Sequence, residues 1–180
     1  MIAHFGTLRH DPELAMALGE MTARWSYVEW LLYQLLKHLA ELDWEKASAI
    51  MYAVTATSAR IDIVRTVAER LPKSDARRAR AVSALEKVVA LCSRRNALVH
   101  HTWVEEWPDG KIWTFDYRAE PDTQARRKRQ TAHSIKRFCD DIADCLQELS
   151  EAADARMPDE QIAAFKMPLT IKRPRTSAKG

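Results

Sequence analysis

The chain has 180 residues and a mass of 20.6 kDa, enough for one domain with a real core and marginal for two. Hydrophobic residues make up 47% and charged residues 29%, a globular and not a disordered composition, while the net charge of +3 is too small by itself to demand a nucleic-acid partner. Four glycines and seven prolines leave few turns, which argues for long helices and against a many-stranded sandwich or barrel. No apolar run reaches the ~18 residues of a membrane helix. The opening MIAHFGTLRH lacks the basic-then-apolar pattern of a secretory signal, so a cytoplasmic protein with no membrane partner is expected. Three cysteines without a Cys-x-x-Cys exclude a disulfide framework and a cysteine zinc site. No cofactor is expected.

Asp11-Pro12-Glu13 is a helix start, with a capping Asp, Pro at the first helical position and an acid near the positive end of the dipole. Gly19 is expected to interrupt or kink that opening. From Trp25 a period of threes and fours runs through Val28, Leu32, Leu35, Leu39 and Leu42 and defines one helical face. Asp43 caps a second helix whose apolar row is Ile50, Val54, Ile61, Val64, Ala68 and Leu71, and Pro72 stops it. Ser74 is the expected cap of a third helix, with Val82, Leu85, Val89, Cys92 and Val99 inward. After His101 the pattern changes. Residues 103–107 read as a strand, Pro108-Asp109-Gly110 as a turn, and 111–117 as the returning strand. Asp122 is expected to open a last long helix with Ile135, Phe138, Ile142, Cys145 and Leu149 inward. The expected fold is therefore all-α. It is an antiparallel bundle of four main helices over residues 1–156, with a β-hairpin inserted between the third and fourth, followed by a proline-containing basic tail over 157–180.

The stretch 93–103 places a polar cluster at the end of an apolar row. Asn96 and His100, four apart, share a helical stripe, as do Arg94 and His101. Arg95 and His100 are five apart, about 140° around a helix. They converge only through the reach of the Arg side chain, through distortion at the helix end, or through a second copy across a two-fold axis.

Arg95-Asn96 followed by His100 resembles the signature of the HEPN superfamily, an Arg separated from a His by four to six residues with a polar residue directly after the Arg. The resemblance spans roughly residues 20–153. It includes an acid, Glu29, inside the apolar run of the first core helix, a basic residue, Arg60, in the second helix, and a motif helix followed by a Trp-bearing hairpin and a final helix. A weaker match runs from Arg126 and Arg127 to His133, in a basic run. Membership implies a homodimeric, metal-independent endoribonuclease, of the kind found in toxin–antitoxin and antiphage defence systems. RNA would be cut at a dimer-interface cleft, and an antitoxin or other protein partner is possible. It also implies that Arg95 and His100 are catalytic, assisted by Asn96.

The chemistry suits those residue types. An imidazole titrates near neutrality and serves as base toward a 2′-hydroxyl or as acid toward a leaving oxygen. A guanidinium stays charged and matches a phosphate bidentately. Arg94, His101, Arg126, Arg127, Lys128 and Arg129 are secondary candidates for holding substrate. The basic run would occupy the opening of the last helix, against the dipole, although a solvated charged face is the plainer account. The aromatics Trp103, Trp107, Trp113, Phe115 and Tyr117 are read as the hairpin's packing face before they are read as a base-stacking platform. The alternative function is an inactive HEPN-like module that binds a protein or nucleotide. In that case Arg95 is structural and competes with Arg60 for Glu29, whose buried carboxylate needs a cation.

Overall fold

The computed structural model describes residues 2–5, 8–107, 109–116 and 127–155. It is mostly helical, with helices α1 (Pro12–Leu39), α2 (Trp44–Tyr52), α3 (Thr57–Arg70), α4 (Ala76–His100) and α5 (Ala132–Ala152). Four short strands, β1 (Ile2–Phe5), β2 (Thr102–Trp107), β3 (Lys111–Phe115) and β4 (Lys128–Gln130), form an antiparallel sheet in the order β1-β2-β3-β4. No helix of the described residues is long and apolar enough to cross a membrane.

The start of α1 follows its sequence signal. Asp11 accepts from the Leu14 amide at 2.9 Å and Pro12 stands at the first helical position. Gly19 does not break the helix, which runs through it; a helical glycine costs only about 1 kcal/mol relative to alanine, and the packed turns on either side outweigh that. Trp25, Val28, Leu32, Leu35 and Leu39 are all buried, and the stripe packs chiefly on α5. There Ile135, Phe138, Ile142, Cys145 and Leu149 are buried as their spacing requires. Buried among them is Arg24, 2% exposed, which donates to the Cys139 carbonyl at 2.6 Å and pairs with Glu20 one turn back.

Three boundaries depart from the sequence expectation. The expected second helix is two helices, α2 and α3, because the chain turns at residues 53–56; Ile50 of the expected apolar row is consequently 39% exposed. The last helix opens not at Asp122, which lies outside the described residues, but at Ala132. Thr131 caps it in a reciprocal box with Ser134, each side chain bonding the other's amide at 3.1 Å. Residues 128–130, expected as helix, are the edge strand β4. On α4, capped by Asp75 rather than Ser74, the buried face is Ala81, Ala84, Leu85, Val88 and Leu98. That face is turned by one residue from the expected row, so Val89 and Val99 are each 44% exposed.

The hairpin follows α4 directly, with Gly110 at φ +62° in its turn, the left-handed region that favours glycine. It is not alone. The N-terminal strand pairs with β2 and β4 pairs with β3, which relieves the marginal stability of a two-stranded ribbon. Ile112 and Thr114 are buried, Thr114 accepting from Gln130 at 2.8 Å, and Trp103 packs on the core. Trp113 and Phe115 alternate onto the other face and are half-buried, so the hairpin aromatics do not form one packing face. Tyr117 and the tail 157–180 lie outside the described residues.

Two measurements test this core. Arg24→Ala leaves Glu20 and a buried carbonyl without their cation, and is expected to lower unfolding stability by ~3–5 kcal/mol in urea; a loss below ~1 kcal/mol would show the pair to be solvated. Burial also pushes the Cys139 thiol up to about 11 and the Cys145 thiol up to about 12. Their folded values lie above the unfolded one, roughly 8.5. Their stabilisation is therefore complete below that range and is lost as pH rises toward the folded values. The slope of stability against pH above about 9 should be shallower in Cys139→Ala/Cys145→Ala than in the wild type; parallel slopes would contradict it.

Candidate functional site

α4 stays helical through His100, and the His101 amide closes its last turn on the Ala97 carbonyl at 3.1 Å. The chain then doubles back, and Trp103 Nε1 donates to the Leu98 carbonyl at 3.0 Å, satisfying one of the helix's terminal acceptors. Distortion at the helix end is thereby removed as a way of joining Arg95 to His100. On a regular helix, with Arg95 at 0°, Val99 falls at about 40°, Cys92 at 60°, Asn96 at 100°, Val89 at 120° and His100 at 140°. Arg95 and His100 flank one stripe that carries both exposed valines. His100 and Asn96 are exposed, and Arg95 and His101 are half-buried.

The two neighbouring arginines point to different helices. Arg94 donates to the Ser134 carbonyl at 2.8 Å, reaches Asp141 at 3.4 Å and lies 4.5 Å over the Phe138 ring, so it ties α4 to α5. Arg95 lies 5.6 Å over the Trp25 ring of α1 and donates to Asn96 Oδ1 at 3.1 Å. No carboxylate pairs with it among the described residues.

The competition for Glu29 goes to Arg60. Arg60 Nη1 donates to Glu29 Oε2 at 3.0 Å and Thr57 Oγ1 donates to Oε1 at 2.8 Å. Arg60 Nε also donates to the Met51 and Val54 carbonyls at 3.2 and 3.1 Å, which finishes α2 and fixes the turn into α3. Glu29 still acts on the motif helix. Burial pushes the Cys92 thiol up, Arg95 pulls it down, and Glu29 adds to the rise. Asn96 Nδ2 in turn approaches Cys92 Sγ at 4.0 Å. The ion pair and the motif meet along α1, where Arg95 covers the ring of Trp25 one turn before Glu29.

Beside it opens a cavity of about 190 Å³, between α1, α2 and the start of α3. Trp30, Tyr33, Trp44 and Tyr52 line it, together with Glu29 and Arg60. Sequence reasoning missed this cavity. The available signal was Trp30, which stands five residues past Trp25, about 140° off the apolar face.

Of the remaining candidates, Arg126 lies outside the described residues, and Arg127, Lys128 and Arg129 are exposed. Lys128 and Arg129 belong to the sheet edge β4 and not to a helix, so no helix dipole opposes their charge; charge on an edge strand also guards against edge-to-edge pairing. Among the described residues no group of three His, Cys, Asp or Glu is placed to hold a metal ion. Comparison with family models, curated proteins and solved structures finds no match to this chain.

The two guanidiniums should differ sharply when removed. Arg60→Ala leaves Glu29 without a cation and two carbonyls without a donor, and is expected to cost about 1.5–3 kcal/mol. Arg95→Ala loses a half-exposed ring contact, about 0.5–1 kcal/mol. Urea unfolding of both variants checks the order, and a larger loss in Arg95→Ala would reverse the assignment of roles.

Proposed function

We propose that the protein is a HEPN-type, metal-independent endoribonuclease that acts as a homodimer, with Arg95 and His100 as catalytic residues and Asn96 as their assistant. The observation that carries this reading is the state of Arg95. The acid that would have neutralised it is bonded by Arg60, so its charge remains for a phosphate, at the same helix end as an exposed imidazole. The hydrogen bond that ties that helix end to α5 comes from Arg94 instead.

The reaction needs no redox partner. A base withdraws the proton of a 2′-hydroxyl, and the 2′-oxygen attacks the adjacent phosphorus. The P–O5′ bond breaks, and an acid protonates the departing 5′-oxygen. The products are a 2′,3′-cyclic phosphate and a 5′-hydroxyl. His100 takes the proton-transfer role, and Arg95 neutralises charge gathering on the phosphorane oxygens. Asn96, within hydrogen-bond reach of Arg95, holds that guanidinium in line and offers an amide N–H to the phosphate.

A second copy supplies what one chain lacks. Arg95 and His100 lie about 140° apart on an unbroken helix, and the stripe between them exposes Val89 and Val99. An apolar seam flanked by the two polar residues suits a two-fold contact that doubles the site. RNA as substrate, toxin or antiphage activity, and an antitoxin partner belong to the same reading.

Purified protein should cleave RNA in the presence of a chelator. Arg95→Ala and His100→Ala should fold and lose activity by ~10²–10⁴. No cleavage by the wild type, or equal cleavage by all three, overturns the proposal.

A further inference from the structure

We propose that the aromatic cavity between α1, α2 and α3 is a guanine-binding subsite, which takes a base of the RNA strand next to the scissile position. The substrate, though not the cavity, rests on the nuclease reading.

The cavity is built for a flat ring. Trp30 is 41% exposed, Trp44 55% and Tyr52 77%; these three lie on its wall and are half of the large apolar side chains left open to solvent among the described residues. Tyr33 is held beneath Trp44, ring centroids 4.5 Å apart at 68°, with its hydroxyl donating to the Trp44 carbonyl at 3.1 Å. The Tyr33–Trp44 side of the wall is thus tied together by the fold itself. A volume of about 190 Å³ lies below the ~300–1,000 Å³ of sites for drug-sized ligands, and suits one ring system. Splayed bases of single-stranded RNA are held by aromatic faces of this kind.

The polar lining selects the base. A carboxylate has about four lone-pair sites, and Thr57 and Arg60 use one on each oxygen of Glu29. Each oxygen therefore retains an acceptor. Arg60 has Nε on two carbonyls and Nη1 on Glu29, with no bond on Nη2 among the described residues. Beside the hydroxyls of Ser26 and Tyr52, the ion pair thus presents two carboxylate acceptors next to the unused N–H groups of the Arg60 guanidinium. Guanine alone among the four RNA bases has the complementary edge: adjacent N1–H and N2–H donors beside the O6 acceptor. Adenine, cytosine and uracil each offer a single ring-edge donor group in that position. A phosphate is disfavoured because Glu29 already neutralises Arg60. An apolar side chain from a protein would bury the carboxylate's remaining acceptors without donors. The cavity also lies close to the motif, since Glu29 on its wall stands one turn along α1 from Trp25, whose ring Arg95 covers.

The test is quenching of tryptophan emission by GMP, AMP, CMP and UMP, and by UpGpU and UpApU. GMP should bind at least tenfold more tightly than the other three nucleotides. Trp30→Ala and Tyr52→Ala should weaken it at least tenfold, and Glu29→Gln should abolish the preference for guanine. Tyr52 is so exposed that its variant tests the site without threatening the fold. UpGpU binding more tightly than GMP identifies an RNA strand as the occupant; equal affinity overturns the RNA assignment and leaves a free guanine nucleotide. Equal affinity for all four nucleotides, or binding indifferent to Trp30→Ala and Tyr52→Ala, overturns the subsite. Cleavage without GMP binding removes the subsite and spares the nuclease; GMP binding without cleavage does the reverse.

Discussion

The pair between Glu29 and Arg60 governs the rest of this architecture. The Glu29 carboxylate on α1 is half-buried, which favours a cation beside it, and the sequence offers two, one on α3 and one on α4. Arg60 prevails because its guanidinium does two jobs at once. It neutralises Glu29 with one nitrogen and closes the end of α2 with another. Arg95 makes no comparable set of bonds, and its guanidinium rests on the face of Trp25. One local competition therefore sets the turn between α2 and α3, the lining of the aromatic cavity and the charge left at the end of α4.

The long amphipathic elements were legible because their period is strong. The stripe from Trp25 to Leu39 and the row from Ile135 to Leu149 are buried where spacing places them. The Arg95, Asn96 and His100 group was also visible, as was its position at a helix end. The break between α2 and α3 was not. Residues 53–56 contain neither glycine nor proline, and Ala56 makes no side-chain cap. The stop comes from Arg60 reaching back to Met51 and Val54, a contact that local pattern does not carry. The rotation of α4 was missed for a related reason. Ala81, Ala84 and Val88 face the core, and small alanines against larger valines give a weak periodic signal. The strand β4 was mistaken for helix because Lys128–Gln130 has no β-branched residue, and its place in the sheet comes from pairing with β3.

The neighbouring arginines on α4 show how one helix turn can engage two different neighbours. Successive residues stand about 100° apart on a helix, so Arg94 and Arg95 must face different neighbours. Each guanidinium lies over an aromatic ring, Phe138 on α5 for one and Trp25 on α1 for the other. Together they hold the last two turns of α4 between the two helices that form the main core contact, and Trp103 closes the end by bonding Leu98. A side chain at the end of an unpinned helix would fray with it. His100 projects from a terminus fixed on three sides, and is exposed for lack of packing around its ring and not for lack of order in its backbone. In the proposed nuclease, that combination, a helix end held by its neighbours under an open imidazole, is what would position a proton-transfer group.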